Sequence, residues 1–201
     1  GSYIPYSEVK RLHAELPENV LLVLDGAYAE YVRKNDYSAG MELAGEMANV
    51  LVTRTFSKIH GLAALRLGWA YGPESVVAAL NRTRGPFNVS AVSQAAGIAS
   101  LNDDAFMAKS ADHNDSELIR VKDAVEKAGF KTFPSVGNFV LIEFPEEAGR
   151  TSAEADAFLR QHGIVIRDVN VYGLPTCVRA SIGTTEQNDD LIAAIEKFSK
   201  S

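Results

Sequence analysis

The chain has 201 residues, 46% hydrophobic and 23% charged, the balance of an ordinary soluble globular protein with room for one large domain or two small ones. A net charge of -6 with scattered Lys and Arg argues against nucleic acid as a partner, and no apolar run approaches the roughly 20 residues that cross a bilayer. The only cysteine, Cys177, excludes an internal disulfide; His13, His60, His113 and His162 lie too far apart to suggest a metal site and are expected to be surface or locally bonded residues. With no signal-peptide pattern at its start, the chain is expected in the cytoplasm.

Residues 5–16 carry Val9, Leu12 and Leu16 at helical spacing, with Pro5 where a first turn tolerates it, and predict an amphipathic helix. The apolar run 20–24, ending at Asp25-Gly26, predicts a strand buried on both faces of a parallel sheet. A helix-like stretch, 38–47, leads to a second run, 50–52. A third run, 65–71, precedes Gly72-Pro73 and a predicted helix over 74–82. This alternation is the pattern of an α/β domain with a mostly parallel sheet, whose ligands sit beyond the carboxyl ends of the strands.

Gly85-Pro86-Phe87-Asn88 breaks the pattern as a loop, and a small-residue helix follows over 89–101. Residues 103–128 form a long polar helix pattern closed by Gly129. Beyond it come short strand candidates at 131–133, 139–144, 165–166 and 178–182, with helices over 153–162 and 186–199. The texture divides the chain into an α/β part, residues 1–102, and a smaller α+β lobe, residues 103–201.

Polar side chains cluster where the apolar runs end: Asp25 and Tyr28 after the first, Thr55, Ser57 and Lys58 after the second, and Arg66 at the start of the third. Singly, each has an ordinary explanation as a turn former or a solvated surface group. Together they meet the needs of pyridoxal 5'-phosphate: an amine for covalent attachment, an anion facing the pyridine nitrogen, a donor at the phenolic oxygen, and a cationic, hydroxyl-rich phosphate cup. Lys58, Asp25, Tyr28, and Arg66 with Thr55 and Ser57 supply these in turn. An arginine suits the phosphate because its planar fork holds two oxygens at once.

The same residues carry a resemblance. Asp25-Gly26-Ala27-Tyr28-Ala29-Glu30-Tyr31 resembles the Asp-Glu-Ala-Tyr-x-Glu-Phe segment of the class I/II aminotransferases. Residues 54–58, Arg-Thr-Phe-Ser-Lys, followed by residues 61–68, are similar to that family's lysine signature through to its phosphate-binding arginine. Residues 84–90 resemble the loop before the interlobe helix, and Ser135-Val136-Gly137-Asn138-Phe139 the entry to a small-lobe strand with an active-site asparagine. Val178-Arg179-Ala180-Ser181-Ile182-Gly183-Thr184 is similar to the family's Leu-Arg-Ile-Thr-x-Gly-Thr. The resemblance covers nearly the whole chain and is strongest to the histidinol-phosphate branch, in which a further arginine matches Arg167. Gly26 departs from the usual glutamate and Ala64 from a usual glycine.

The resemblance implies a fold-type-I enzyme: the C-terminal part of a large domain with a mostly parallel sheet, then a small α+β domain. It implies a cofactor, pyridoxal 5'-phosphate, bound by Lys58, Asp25, Tyr28, Thr55, Ser57 and Arg66, and a substrate bound by Arg179, Arg167 and Asn138. The implied reaction is transamination of histidinol phosphate with 2-oxoglutarate in histidine biosynthesis, by a homodimer. It also implies that the chain lacks an upstream segment with an Asn-Pro-x-x-Pro-Thr-Gly motif, an aromatic residue stacked on the ring, and a tyrosine given to the partner's site. The isolated chain is therefore expected to be a poor catalyst. An aromatic amino acid aminotransferase, a phosphothreonine decarboxylase, a non-catalytic cofactor-sensing domain and an inert fragment remain open on these motifs.

Overall fold

Parallel pairing of the first two strands sets the geometry of the N-terminal half. In a computed structural model describing residues 1–200, α1 (Tyr6–Glu15) leads to β1 (Leu22–Asp25), α2 (Met41–Glu46) to β2 (Val50–Thr55), and β3 (Gly68–Tyr71) to α3 (Glu74–Thr83) and α4 (Ala91–Leu101). The helix α5 (Asp104–Lys127) follows. Then come β4 (Lys131–Thr132), β5 (Phe139–Glu143), α6 (Ser152–Gln161), β6 (Arg167–Asp168), β7 (Cys177–Ser181) and α7 (Thr185–Phe198). Contacts divide the chain into two units, Tyr3–Ala111 and Asp112–Ser201 with Gly1–Ser2, the division falling inside α5.

The first unit holds a sheet ordered β1-β2-β3. β1 and β2 are parallel, with Asp25 opposite Thr53, whereas β3 runs antiparallel to β2, with Gly68 opposite Thr55. Its core sets Val50, Val52, Leu43 and Ala44 against Leu22, Leu24, Tyr6 and Val9. The expectation that β1 is buried on both faces does not hold: Val23 is 50% exposed. β1 is an edge strand, and only the face carrying Leu22 and Leu24 is packed. The third run is also shorter as a strand than its apolar pattern predicts. Residues Ala63–Leu65 form a 3-10 turn and Arg66 is left-handed, at φ 52, so pairing starts only at Gly68.

The second unit holds an antiparallel sheet ordered β4-β5-β7-β6. One face of β5 and β7, through Val140, Ile142, Val178 and Ala180, packs against Val121 and Val125 of α5, Leu159 of α6 and Ile195 of α7. Local chemistry fixes the helix ends. Thr151 with Glu154, and Thr184 with Gln187, form reciprocal capping boxes at α6 and α7. Gly129, at φ 91, ends α5 by turning its amide back to Glu126 O. The strand expected at 165–166 lies two residues later. Val165 is 76% exposed, and pairing begins where Arg167 meets Arg179. No helix among the described residues is long and apolar enough to cross a membrane.

Candidate active site

Because β1 and β2 are parallel and in register, their carboxyl ends lie side by side. Asp25 closes β1, and its Oδ1 accepts the Ala27 amide at 3.0 Å in a tight turn. No cation pairs with this carboxylate among the described residues, which leaves it fit to face a protonated ring nitrogen. Tyr28 follows in the same turn. Lys58, three residues beyond the end of β2, holds its Nζ 5.1 Å from the centre of the Tyr28 ring.

Between strand and lysine, Thr55 Oγ1 accepts the Ser57 amide at 3.0 Å, which curls the backbone so that both hydroxyls sit at the strand end. Arg66 returns to this corner through its left-handed backbone. Its Nη1 donates to Ala63 O at 2.8 Å and, less closely, to Ser57 Oγ at 3.4 Å. A non-glycine residue in that conformation costs roughly 1–2 kcal/mol. An exposed guanidinium with no ion-pair partner among the described residues, beside two hydroxyls, is the donor set that a phosphate needs. The structure thus brings Asp25, Tyr28, Thr55, Ser57, Lys58 and Arg66 to one edge of the first unit's sheet, and these side chains fit pyridoxal phosphate.

In the second unit, Arg167 and Arg179 are register partners on adjacent antiparallel strands and share one sheet face. Arg179 lies 4.9 Å from the Phe139 ring centre, and its Nε is buried without a hydrogen-bond partner. Arg167 donates to Tyr172 Oη at 2.9 Å. Neither arginine has an ion-pair partner among the described residues, so directly opposed like charges stand uncompensated beside a cavity of about 440 Å³ that both line. On β5, Leu141 is the register partner of Arg179, and the Asn138 carbonyl accepts the Ile182 amide at 2.8 Å.

A profile described as Aminotransferase class I and II matches residues 1–195. The chain belongs to this aminotransferase family. Among relatives, it is 54% identical over 198 residues to a histidinol-phosphate aminotransferase of Rhodopseudomonas palustris (strain BisA53), covering 98% of this chain and 54% of the relative. It is 50% identical to that of Maricaulis maris (strain MCS10), covering 100% of this chain and 55% of the relative. The histidinol-phosphate aminotransferase of Sinorhizobium meliloti, solved in complex with pyridoxal-5'-phosphate, superposes with a TM-score of 0.89 at 30% identity. That alignment covers 100% of this chain and 54% of that one. The chain therefore spans about half the length of the curated relatives it matches.

Several residues that hold these aminotransferase segments in place escaped sequence reasoning. Arg54 donates to Glu30 at 2.7 Å, with His60 Nε2 3.9 Å from the same carboxylate oxygen. Of the histidines expected at the surface or in local bonds, His162 is exposed and bonded to Phe158 O at 2.9 Å, whereas His13, His60 and His113 are bonded to residues far along the chain. His60 is 8% exposed and bonded to Ser100 Oγ at 2.8 Å; burial, the largest cause, pulls its pKa below the usual 6.5. His113 Nε2 donates to Gly183 O at 2.8 Å. Asn188, 1% exposed, accepts the Gly183 amide at 2.9 Å and donates to Glu117 Oε2 at 2.6 Å, fixing the turn after Arg179. An Asn in the first turn of a capped helix was the available signal, but nothing local pointed to Glu117.

Proposed function

We propose that the protein is a pyridoxal-phosphate-dependent aminotransferase acting on histidinol phosphate, with 2-oxoglutarate as the second substrate, as a cytoplasmic homodimer. Residues 1–102 are the C-terminal part of its cofactor-binding domain and residues 103–201 its small domain. One observation carries the reading: the Lys58 amine lies 5.1 Å from the Tyr28 ring at the parallel-strand edge that Asp25 and Arg66 share. The identity of 54% to a relative named for histidinol phosphate supports the substrate.

When bound, the cofactor supplies an electron sink for the carbanion formed at the substrate carbon. Lys58 Nζ would anchor it covalently and, as a free amine, would serve as the base that moves the proton of that carbon. The Asp25 carboxylate keeps the ring nitrogen protonated through a charge-assisted hydrogen bond. Tyr28 Oη donates to the phenolic oxygen, while Arg66 with the Thr55 and Ser57 hydroxyls grips the phosphate. Arg179 and Arg167 take the anionic end of the substrate, and Asn138 completes its hydrogen bonds.

The test is direct. Full-length protein is mixed with pyridoxal phosphate, reduced with borohydride and digested; the expected result is the added mass on the peptide carrying Lys58, absent in Lys58→Ala. Label on other lysines with Lys58 untouched refutes the reading. Turnover of histidinol phosphate against phenylalanine and phosphothreonine then tests the substrate.

A further inference from the structure

The motif segment 25–31 and strand β2 are tied together by a pair of residues to which the proposed chemistry gives no part. Glu30 and Arg54, 24 positions apart, form an ion pair of 2.7 Å with side chains only 11% and 17% exposed. We infer that Glu30 and Arg54 form a clasp that sets the Tyr28 ring against Lys58, making both of them positioning residues; this rests on the proposed roles of Tyr28 and Lys58.

Glu30 lies two residues after Tyr28 in the 3-10 turn Ala29–Tyr31, and Arg54 lies four residues before Lys58 on β2. Each partner is thus fixed closely to one member of the Tyr28–Lys58 contact. The surroundings leave the pair little freedom. Arg54 is the register partner of Trp69 and lies 5.7 Å from its ring centre. Its Nε is buried without a hydrogen-bond partner, so the guanidinium depends on Glu30. On the other side, His60 stands 3.9 Å from Glu30 and is itself held by Ser100.

Gly26 explains how the arginine reaches its partner. A Cβ built there meets Arg54 Cδ at 2.8 Å and Thr53 O at 3.1 Å, while the Gly26 backbone has no positive φ that only glycine favours. The absent side chain is therefore a matter of space. The Arg54 stem crosses over Gly26, and because its head is already paired, it cannot swing aside without leaving Glu30. The departure from the family's usual glutamate at this position becomes part of the clasp.

Three variants of the full-length protein test this: Glu30→Gln, Gly26→Ala, and Gly26→Ala in an Arg54→Ala background. In protein without cofactor, Glu30→Gln and Gly26→Ala should each speed hydrogen exchange of the 27–32 amides by about tenfold relative to β7, the effect of losing one charge-assisted hydrogen bond. With Arg54 already removed, Gly26→Ala should add much less, because only the 3.1 Å approach to Thr53 O is left for the new Cβ to crowd. In loaded protein, both single variants should raise the pH midpoint of the Lys58-bound chromophore by about half a unit or more, because a Tyr28 donor that has drifted no longer withdraws charge from the phenolic oxygen. Unchanged exchange in both single variants overturns the clasp. Faster exchange with an unmoved midpoint overturns its positioning role. Absence of any reducible adduct at Lys58 in the parent refutes the functional reading instead, and the exchange measurement still decides the clasp.

Discussion

Replacing Asn188 by alanine should cost more than any other single polar change in the second unit. Its Oδ1 is the partner of the Gly183 amide, and its Nδ2 reaches Glu117 Oε2 at 2.6 Å and Gly183 O at 3.2 Å. The losses are unequal. Gly183 O keeps His113, and Glu117 keeps two bonds from Arg120, so neither acceptor is stranded. Among the described residues the Gly183 N–H has no second partner, and stranding this part-buried donor costs about 1 kcal/mol, with about 1.5–3 more for the bond to a charged carboxylate. A total of about 2.5–4 kcal/mol, at a urea m-value of about 2 kcal/mol/M, lowers the midpoint by about 1.3–2 M. Far-UV circular dichroism follows this transition, and the fluorescence of Trp69, the only tryptophan, reports the other unit in the same titration. Asn188→Asp keeps the Gly183 acceptor but sets a second anion against Glu117. It should therefore be worse than alanine at pH 7 and recover as the pair takes up a proton on acidification. A midpoint for Asn188→Ala within about 0.3 M of the parent would refute the accounting.

Other consequences follow from the same contacts. Hydrogen bonding from Arg120, the largest cause, holds the Glu117 carboxyl below its ordinary pKa of 4.5 against opposing burial. A depressed folded-state pKa gives stability that is fully present above pH 4.5 and is lost as pH falls through the lowered value, so Glu117→Gln should flatten the acid limb of a plot of Tm against pH. Asp25→Ala should retain pyridoxal phosphate on Lys58 while turnover falls by about a hundredfold or more, the scale of losing a charge-assisted bond that acts in the transition state; full activity would end the proposed role of Asp25. Arg179→Ala should raise KM for histidinol phosphate by about 10–100-fold, and Arg167→Ala by less because Tyr172 already takes part of its donor capacity, which steady-state kinetics on both variants would check.

Helices and parallel pairing were legible in the sequence because their signals are local. The spacing of Val9 and Leu12, the run at 50–52 and the glycine after α5 each speak for their own segment. Strand limits were less legible, for reasons that are not local. Val165 and Ile166 look like a strand, but an edge strand starts where its neighbour offers a partner, and that neighbour is β7. Leu65 and Leu67 likewise read as one run with residues 68–71, although Arg66 adopts a left-handed backbone between them. Apolar pattern records what a residue can tolerate; pairing records what stands beside it.

The same distinction separates the chemical groups from the groups that hold them. Lys58, Asp25, Tyr28 and Arg66 stand at run ends, where a periodic pattern stops and a polar residue becomes conspicuous. Glu30 with Arg54, and Glu117 with Asn188, are partners 24 and 71 residues apart, and each alone reads as a solvated side chain. Such pairs are nonetheless constrained more tightly than the reactive groups. A buried carboxylate tolerates few substitutes once its partner is fixed, because removing either member leaves a desolvated charge or donor behind. A reactive amine at an open edge carries no such penalty in the folded chain. The residues easiest to read as chemistry are therefore those the fold could most readily lose, and the precision of the candidate site depends on residues that reveal themselves only in three dimensions.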